Sequence, residues 1–384
     1  MIFLKDYLKA YQAELKVITP VHIGNGVKLN KKEYIFQRNT GKVYVMNIQK
    51  MFAGLARKGL QRQFTDYYLQ PRSFELDRWL RDNRIGSADY NSWVSYSMEG
   101  GGCLADRGRK AEIAVFQKDA YGCPYVPGTA IKGMLRTILM AYELSRNPDL
   151  CRNMRQDLPR IARNDRKNRK YYLSGEHKSI EQETFYTLNR QDEKGKPVRP
   201  TDAVNDCLSG LIVGDSEPLK TSDLVLCQKL DQKANGEVNK INILRESLKP
   251  GCIIRFKVTI DSMICKYTME DIQKAINIFG DLYYDLFSSH FKDTDRTKPG
   301  TVWIGGGTGF ATKTVIYPLL GYAPGVMTAM EVFDKTLSQK ARSEHRHDRD
   351  KSIGISPHML KCTEYKGKQC QMGMCQMSFT GQES

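Results

Sequence analysis

Tyr125-Val126-Pro127-Gly128-Thr129-Ala130-Ile131-Lys132-Gly133-Met134-Leu135-Arg136-Thr137 places a turn, a helix start, a glycine and two cations in one short run. Pro127-Gly128 makes the turn, and Thr129 is positioned to cap the helix by accepting from its free backbone N–H groups. Ile131, Leu135, Ile138, Leu139 and Tyr142 then recur at helical spacing and predict one buried stripe. Lys132 and Arg136 stand four apart and share a second stripe near the positive end of the helix dipole. Free N–H groups beside paired cations suit a phosphate. A capped amphipathic helix with ordinary surface charge is the plain alternative.

The composition agrees with a polyanionic partner. The chain of 384 residues carries 59 Lys and Arg against 43 Asp and Glu, a formal net charge of +16. Such a balance favours nucleic acid or an acidic surface and says nothing of fold. At this length two domains are expected, over residues 1–220 and 221–384. No apolar run is long enough to span a membrane, and Met1-Ile2-Phe3-Leu4-Lys5-Asp6 turns charged too early for a secretory signal, so a soluble cytoplasmic protein is expected. Cys103, Cys123, Cys151, Cys207, Cys227, Cys252 and Cys265 are scattered and read as small buried thiols. The tail gathers His345, His347, His358, Cys362, Cys370 and Cys375, yet it holds no Cys-x-x-Cys pair and matches no common zinc module. Neither a metal nor a cofactor is expected.

Working outward from the quoted helix, Tyr11 to Ile23 predicts a strand that ends in the glycine-bracketed Pro20-Val21-His22-Ile23-Gly24-Asn25-Gly26. Tyr34-Ile35-Phe36 and Val43-Tyr44-Val45, joined through Asn39-Thr40-Gly41, read as a hairpin. Asn47 caps a helix expected from Ile48 to about Phe64, and a helical piece follows over Phe74 to Arg81. Trp93 to Lys110, with Gly100-Gly101-Gly102, reads as an irregular excursion before the strand Ile113-Ala114-Val115-Phe116. From Arg146 to Lys170, Arg and Lys far outnumber Asp; this is either a solvated helix or an RNA-facing arm. Leu211-Ile212-Val213 closes the first half. Leu224-Val225-Leu226, Ile253 to Ile260 and Val302-Trp303-Ile304 predict strands of the second, with a helix from Met269 to about His290. Then comes Gly305-Gly306-Gly307-Thr308-Gly309-Phe310-Ala311-Thr312-Lys313-Thr314. Its glycines permit sharp turns and close approach, but it is neither a Walker A loop nor a dinucleotide fingerprint. Lys313 and Thr314 suit phosphate, and Phe310 suits a stacked base. A glycine-rich tight turn is the plain alternative.

The resulting order predicts an α+β protein of tandem ferredoxin-like (RRM-like) domains with helical and irregular insertions, each sheet having one face open to RNA. Three segments carry a resemblance. Thr19-Pro20-Val21-His22-Ile23-Gly24-Asn25-Gly26, Pro127 to Arg136, and Ile304 to Phe310 with Lys313-Thr314 resemble, in order, the opening motif, the "PGSSIKGxxR" segment and the C-terminal glycine-rich loop of the CRISPR RAMP superfamily. Ser356-Pro357-His358-Met359-Leu360-Lys361 is similar to one branch, the fifth subunits of type III-A Csm complexes. The resemblance implies tandem RAMP domains, binding of crRNA, and contact with a neighbouring RAMP backbone subunit and with target RNA in the assembled complex. It also implies a part in crRNA 3′-end maturation through host trimming nucleases. Carried onto this chain, Lys132, Arg136 and Lys313 would hold phosphates. Gly128, Gly133, Gly305, Gly306, Gly307 and Gly309 would let RNA approach, with Phe310 beside them and His22 lining the first loop. The 93–110 excursion would be a thumb-like insertion.

An enzyme reading competes with binding. Some RAMP relatives are endoribonucleases with a histidine base, and His22 is the candidate here. The resemblance makes an acidic residue in the loop after the first strand the mark of the target-cutting subunit. Gly24 to Lys32 has none, and Glu33 already enters the next strand. Asp215 is a possible acid, though a turn or capping role suits it better. The expectation is a non-catalytic RNA-binding subunit, with a His22-dependent processing endoribonuclease as the alternative.

Overall fold

Alternating apolar residues and apolar residues three to four apart persist along the whole chain, and in the computed structural model they form two sheets with helices around them. It describes residues 7–71, 74–104, 112–164 and 171–382. The strands are β1 (Leu8–Val17), β2 (Gly24–Leu29), β3 (Tyr34–Gln37), β4 (Lys42–Met46), β5 (Val94–Glu99), β6 (Ile113–Phe116), β7 (Leu211–Val213), β8 (Leu224–Lys233), β9 (Val238–Leu248), β10 (Ile253–Asp261), β11 (Thr301–Trp303), β12 (Met359–Tyr365), β13 (Lys368–Gln371) and β14 (Met374–Gln382). The helices are α1 (Ile48–Arg57), α2 (Gln61–Leu69), α3 (Leu76–Asp82), α4 (Ser87–Tyr90), α5 (Gly128–Arg146), α6 (Arg152–Asn164), α7 (Ser174–Phe185), α8 (Met269–Leu286), α9 (Ile316–Leu320), α10 (Tyr322–Thr336), α11 (Gln339–His345) and α12 (Asp350–Ile353). None is long and apolar enough to cross a membrane.

The first sheet has the order β11-β14-β1-β10-β7 and is antiparallel throughout. In β1, Ala13, Leu15 and Val17 face the core, and Leu15 pairs with Ile254 on one side and Met377 on the other. Helices α5 and α8 pack on each other; α5 also meets β7 and α8 meets β11. The expected stripe of α5 is in place: Ile131, Leu135, Ile138, Leu139 and Tyr142 are all buried, each contributing about 1.5–3 kcal/mol. The second sheet has the order β2-β6-β9-β8-β5-β4-β3, with β12 also paired to β8 and β13 to β12. A smaller apolar core of Met51, Leu55, Phe64, Trp79 and Trp93 lies under α1, α2 and α3.

The mixed α+β class is as expected, but the division at residue 220 separates neither sheet. β1 and β7 pair with β10, and β6 and β5 pair with β9 and β8, so both sheets draw strands from either side of it. The long helix expected from Ile48 breaks into α1 and α2 because Gly59 takes a positive φ of 72°. The excursion expected from Trp93 begins instead as β5, an interior strand of the second sheet; residues 105–110 of it lie outside the described residues. The basic stretch after Arg146 is part of the packed structure where it is described. α6 buries Leu158 and Ala162, and Arg155 donates to the carbonyls of Leu144, Leu150 and Leu319. Residues 165–170 lie outside the described set. All ten cysteines are free thiols.

Candidate nucleic-acid interface

Antiparallel pairing brings one end of the first sheet to a focus. Lys16, near the end of β1, pairs with Ile253 at the start of β10; Val17 pairs with Cys375 near the start of β14; Trp303, ending β11, pairs with Met374. The connections that follow or precede these strands therefore meet. Gly373 N donates to Pro20 O (2.8 Å), Ile304 N to Gly373 O (2.9 Å), Met374 N to Thr19 Oγ1 (2.9 Å) and Gly306 N to His22 O (2.7 Å). The first and third sequence motifs, almost three hundred residues apart, thus form one hydrogen-bonded knot. Gly305, at φ +90°, is required there: a Cβ on it would stand 2.2 Å from His22 O.

His22 sits at the centre of this knot, and its Nδ1 lies 2.6 Å from Glu246 O of β9. A carbonyl only accepts, so Nδ1 carries the proton and Nε2 the lone pair. Burial outweighs that bond and, with the positive charges of Arg245, Lys118 and Lys313, pulls the imidazole pKa from 6.5 down to about 4. At neutral pH His22 is uncharged. Its Nε2 looks toward Gly24, where a Cβ would stand 2.8 Å away.

The charges around His22 divide by whether they are already paired. Glu246 is wholly buried and accepts from Phe116 N (2.9 Å), from Lys118 Nζ (2.5 Å) and from the Tyr96 hydroxyl. Lys229 and Lys361 share buried Asp231, at 3.5 and 3.0 Å. Arg245 is different. It is half-buried on β9, its guanidinium has only Met372 Sδ at 3.7 Å, and among the described residues no carboxylate pairs with it. Burial lowers its pKa from the ordinary value. The glycine loop folds over it, since a Cβ on Gly307 would lie 2.6 Å from Nη1. Lys313 is exposed on the same side and likewise has no carboxylate partner among the described residues. Two unpaired cations beside a glycine loop can hold phosphate oxygens.

A family model of the RAMP superfamily matches residues 14–310. The chain belongs to the RAMP superfamily. Among curated relatives, "CRISPR system Cms protein Csm5" of Mycobacterium tuberculosis (strain ATCC 25618 / H37Rv) is 26% identical over 98% of this chain and 99% of its own length. The protein of the same name from Streptococcus thermophilus is 28% identical over 81% and 82%. Similar solved structures are a chain of a Csm–crRNA–target RNA ternary complex in a type III-A CRISPR-Cas system (TM-score 0.62, 18% identity, 96% of this chain and 100% of that one) and Csm5 of T. onnurineus (TM-score 0.57, 16% identity, 94% and 99%). The resemblance to the fifth Csm subunits read from residues 356–361 is matched by these relatives across most of the chain.

Of the RAMP motif residues, His22, Gly305, Gly306, Gly307 and Lys313 come together as described; Gly309, at φ +99°, lies near Lys361. Phe310 is half-buried, its ring tilted against Phe333 with centroids 5.0 Å apart, and it lines the pocket that also takes in Thr137 and Lys313. The helix of the second motif meets the third: Thr137 of α5 lines the same pocket as Phe310, Lys313 and Thr314, while the charges acting on Lys132 are those of Asp206 and Arg136. Arg136 is no open cation. It bonds Glu181 and Asp206 at 2.7 Å each and stands 4.8 Å over the Phe185 ring, clamping α7 and the 206–210 turn to α5. The helix N-terminus is also taken. α5 begins at Gly128, whose N–H donates to Asp215 Oδ1 (2.7 Å), so Asp215 does the capping expected of Thr129 and is no free acid. Gly128 is close-packed against the chain's own backbone, a Cβ there standing 2.3 Å from Val213 O. Gly133 is exposed, with nothing within 4 Å of a would-be Cβ, and half-buried Lys132 is its neighbour. Arg245 was not anticipated, because an arginine in an alternating polar strand carries no local mark of what faces it.

Proposed function

We propose that this RAMP protein is a non-catalytic crRNA-binding subunit of a type III-A Csm complex, placed near the crRNA 3′ end, where it supports 3′-end maturation and complex assembly in the cytoplasm. The observation that carries the reading is the unpaired Arg245 guanidinium beneath the glycine loop, with Lys313 exposed beside it. The native fold half-buries that cation with no ion pair, Asp231 acting on it only from beyond contact, and a phosphate would supply the direct partner. Lys132 and open Gly133 on α5 add a second contact. The names of the curated relatives and the ternary complex containing a chain of similar fold support crRNA, target RNA and other Csm subunits as partners, among which the sequence resemblance points to a neighbouring RAMP backbone subunit. The strand order β7-β10-β1-β14, with α5 and α8 as the crossing helices, supports a ferredoxin-like unit threaded through the whole chain.

Binding is favoured over cleavage by the state of His22. A base with pKa about 4 is a poor proton acceptor at neutral pH. The carboxylate of Glu246, the residue whose carbonyl holds His22 Nδ1, is committed to Tyr96, Phe116 and Lys118. The test is a native and denaturing gel pair on end-labelled crRNA with the purified chain and Mg²⁺. Retarded, intact RNA is expected. Discrete fragments that vanish in His22→Ala would replace this reading with a processing endoribonuclease.

A further inference from the structure

The tail histidines that match no zinc module in the sequence are brought together in space. His347, Asp350 and His358 are all buried, and their potential ligand atoms lie within 4.8 Å of one another. His347 Nδ1 is 2.9 Å from one Asp350 carboxylate oxygen, and His358 Nδ1 hydrogen-bonds the other. Asp350 is wholly out of solvent, and among the described residues neither lysine nor arginine pairs with it. A buried carboxylate needs a compensating positive charge or a full set of donors. A second observation points the same way. Ser356 is also wholly buried; its hydroxyl bears on the same carboxylate, yet Oγ has no well-formed hydrogen bond. Two imidazole nitrogens and a carboxylate thus converge in the interior, with the Ser356 hydroxyl beside the carboxylate.

We propose that His347, Asp350 and His358, with Ser356 Oγ alongside, bind one divalent transition-metal ion, zinc foremost. Two nitrogens and a carboxylate are a common zinc donor set, and nitrogen donors disfavour magnesium and calcium. The ion takes the place of the shared Nδ1 protons: each imidazole carries its proton on Nε2 instead and stays neutral. Cys362, Cys370 and Cys375, the other tail candidates, belong to β12, β13 and β14 and are outside the cluster. The site also has a structural reach. The His347 ring stacks on Phe333 (centroids 4.4 Å apart), and Phe333 touches Phe310 of the glycine loop. An ion here would stiffen the wall behind the candidate RNA-binding loop.

The test uses the full chain stripped with chelator and titrated with zinc sulfate, read by native mass spectrometry and thermal melting. One zinc per chain is expected, with a rise in Tm that chelator reverses. Asp350→Asn should weaken uptake at least 100-fold, and Cys370→Ser should leave it unchanged. Because Asp350→Asn is a change in the interior, His358→Gln and cobalt(II) absorption of the unaltered chain are run beside it; nitrogen–oxygen ligation without a thiolate charge-transfer band is expected. A stripped chain that takes up no zinc, uptake retained in both Asp350→Asn and His358→Gln, or loss of uptake in Cys370→Ser would each overturn the proposal. In the first case the three residues form a hydrogen-bonded cluster only.

Discussion

Replacing Arg245 by glutamine separates the RNA-binding role from any structural one. In the free protein the guanidinium makes no ion pair among the described residues and meets only Met372 Sδ, so its removal breaks no native salt bridge. Stability should therefore hold or rise slightly, because a half-buried unpaired charge has gone. RNA affinity should fall. A charge-assisted hydrogen bond to a phosphate is worth about 1.5–3 kcal/mol, or about 10- to 150-fold in Kd. On a single strand one lost contact should also flatten the slope of log K against log salt by about 0.7. Arg136→Gln is the matched opposite. It loses two ion pairs at 2.7 Å and the Phe185 face, which should cost about 2–4 kcal/mol of stability and leave the salt slope where it was. Fluorescence anisotropy of an end-labelled single-stranded RNA over a salt series, beside urea melts of each variant, reads both quantities. An Arg245→Gln protein with unchanged affinity and slope would refute the placement of phosphate under the glycine loop. A folded Arg136→Gln protein whose slope falls by a full contact would refute the reading of Arg136 as a clamp closed to RNA.

Lys132→Ala should reduce the salt slope by about 0.7 without a loss of stability, since no ion pair holds this lysine among the described residues; the same anisotropy series checks it. Gly133→Ala should stabilise α5 by about 0.5–1 kcal/mol, because its Cβ meets open space; weaker RNA binding in the more stable variant would mark this glycine as a point of close RNA approach. Glu246→Gln should destabilise by about 3 kcal/mol, seen as a lower urea midpoint, because it leaves Lys118 without its buried partner. His22 makes stability depend on pH. Its folded pKa of about 4 lies below the unfolded 6.5, so the unfolded chain binds the extra proton between these values; the contribution is complete above pH 6.5 and lost as pH falls to 4, about 3 kcal/mol in all. Urea midpoints across that window should fall more steeply in the unaltered chain than in His22→Asn.

The elements set by local chemistry were legible in the sequence. The 34–45 hairpin, the buried stripe of α5 and the glycine loop after β11 follow from period, turn residues and positive-φ glycines close together in the chain. What escaped depends on distant partners. Arg136 and Lys132 share a helix face, but Glu181 and Asp206 form ion pairs with Arg136 alone of the two. Thr129 stands where a cap belongs, but Asp215 arrives just past the end of β7, the strand that α5 packs against. Cluster residues His347 and Asp350 are one helical turn apart and readable as a pair, while His358 returns only through the 354–358 loop.

The same distinction explains why a boundary at residue 220 fails. The His22 loop leaves the end of β1, Gly373 precedes β14, the glycine loop leaves β11, and Arg245 lies on β9 shortly before β10. These four segments meet only because β1 is inserted between β10 and β14. The candidate RNA-binding surface is therefore a product of long-range pairing, and loop-closure entropy opposes that pairing until both sheets are in place. A fragment ending at residue 220 would keep His22, Lys132 and Gly133 but lose every partner of β1 in the first sheet, and with them the fixed tautomer of His22 and the cation beneath the glycine loop. Motifs that resemble separate recognition elements in the sequence are in the fold one cooperative unit, since the strand that orders the first is paired on both sides with strands from the second half of the chain.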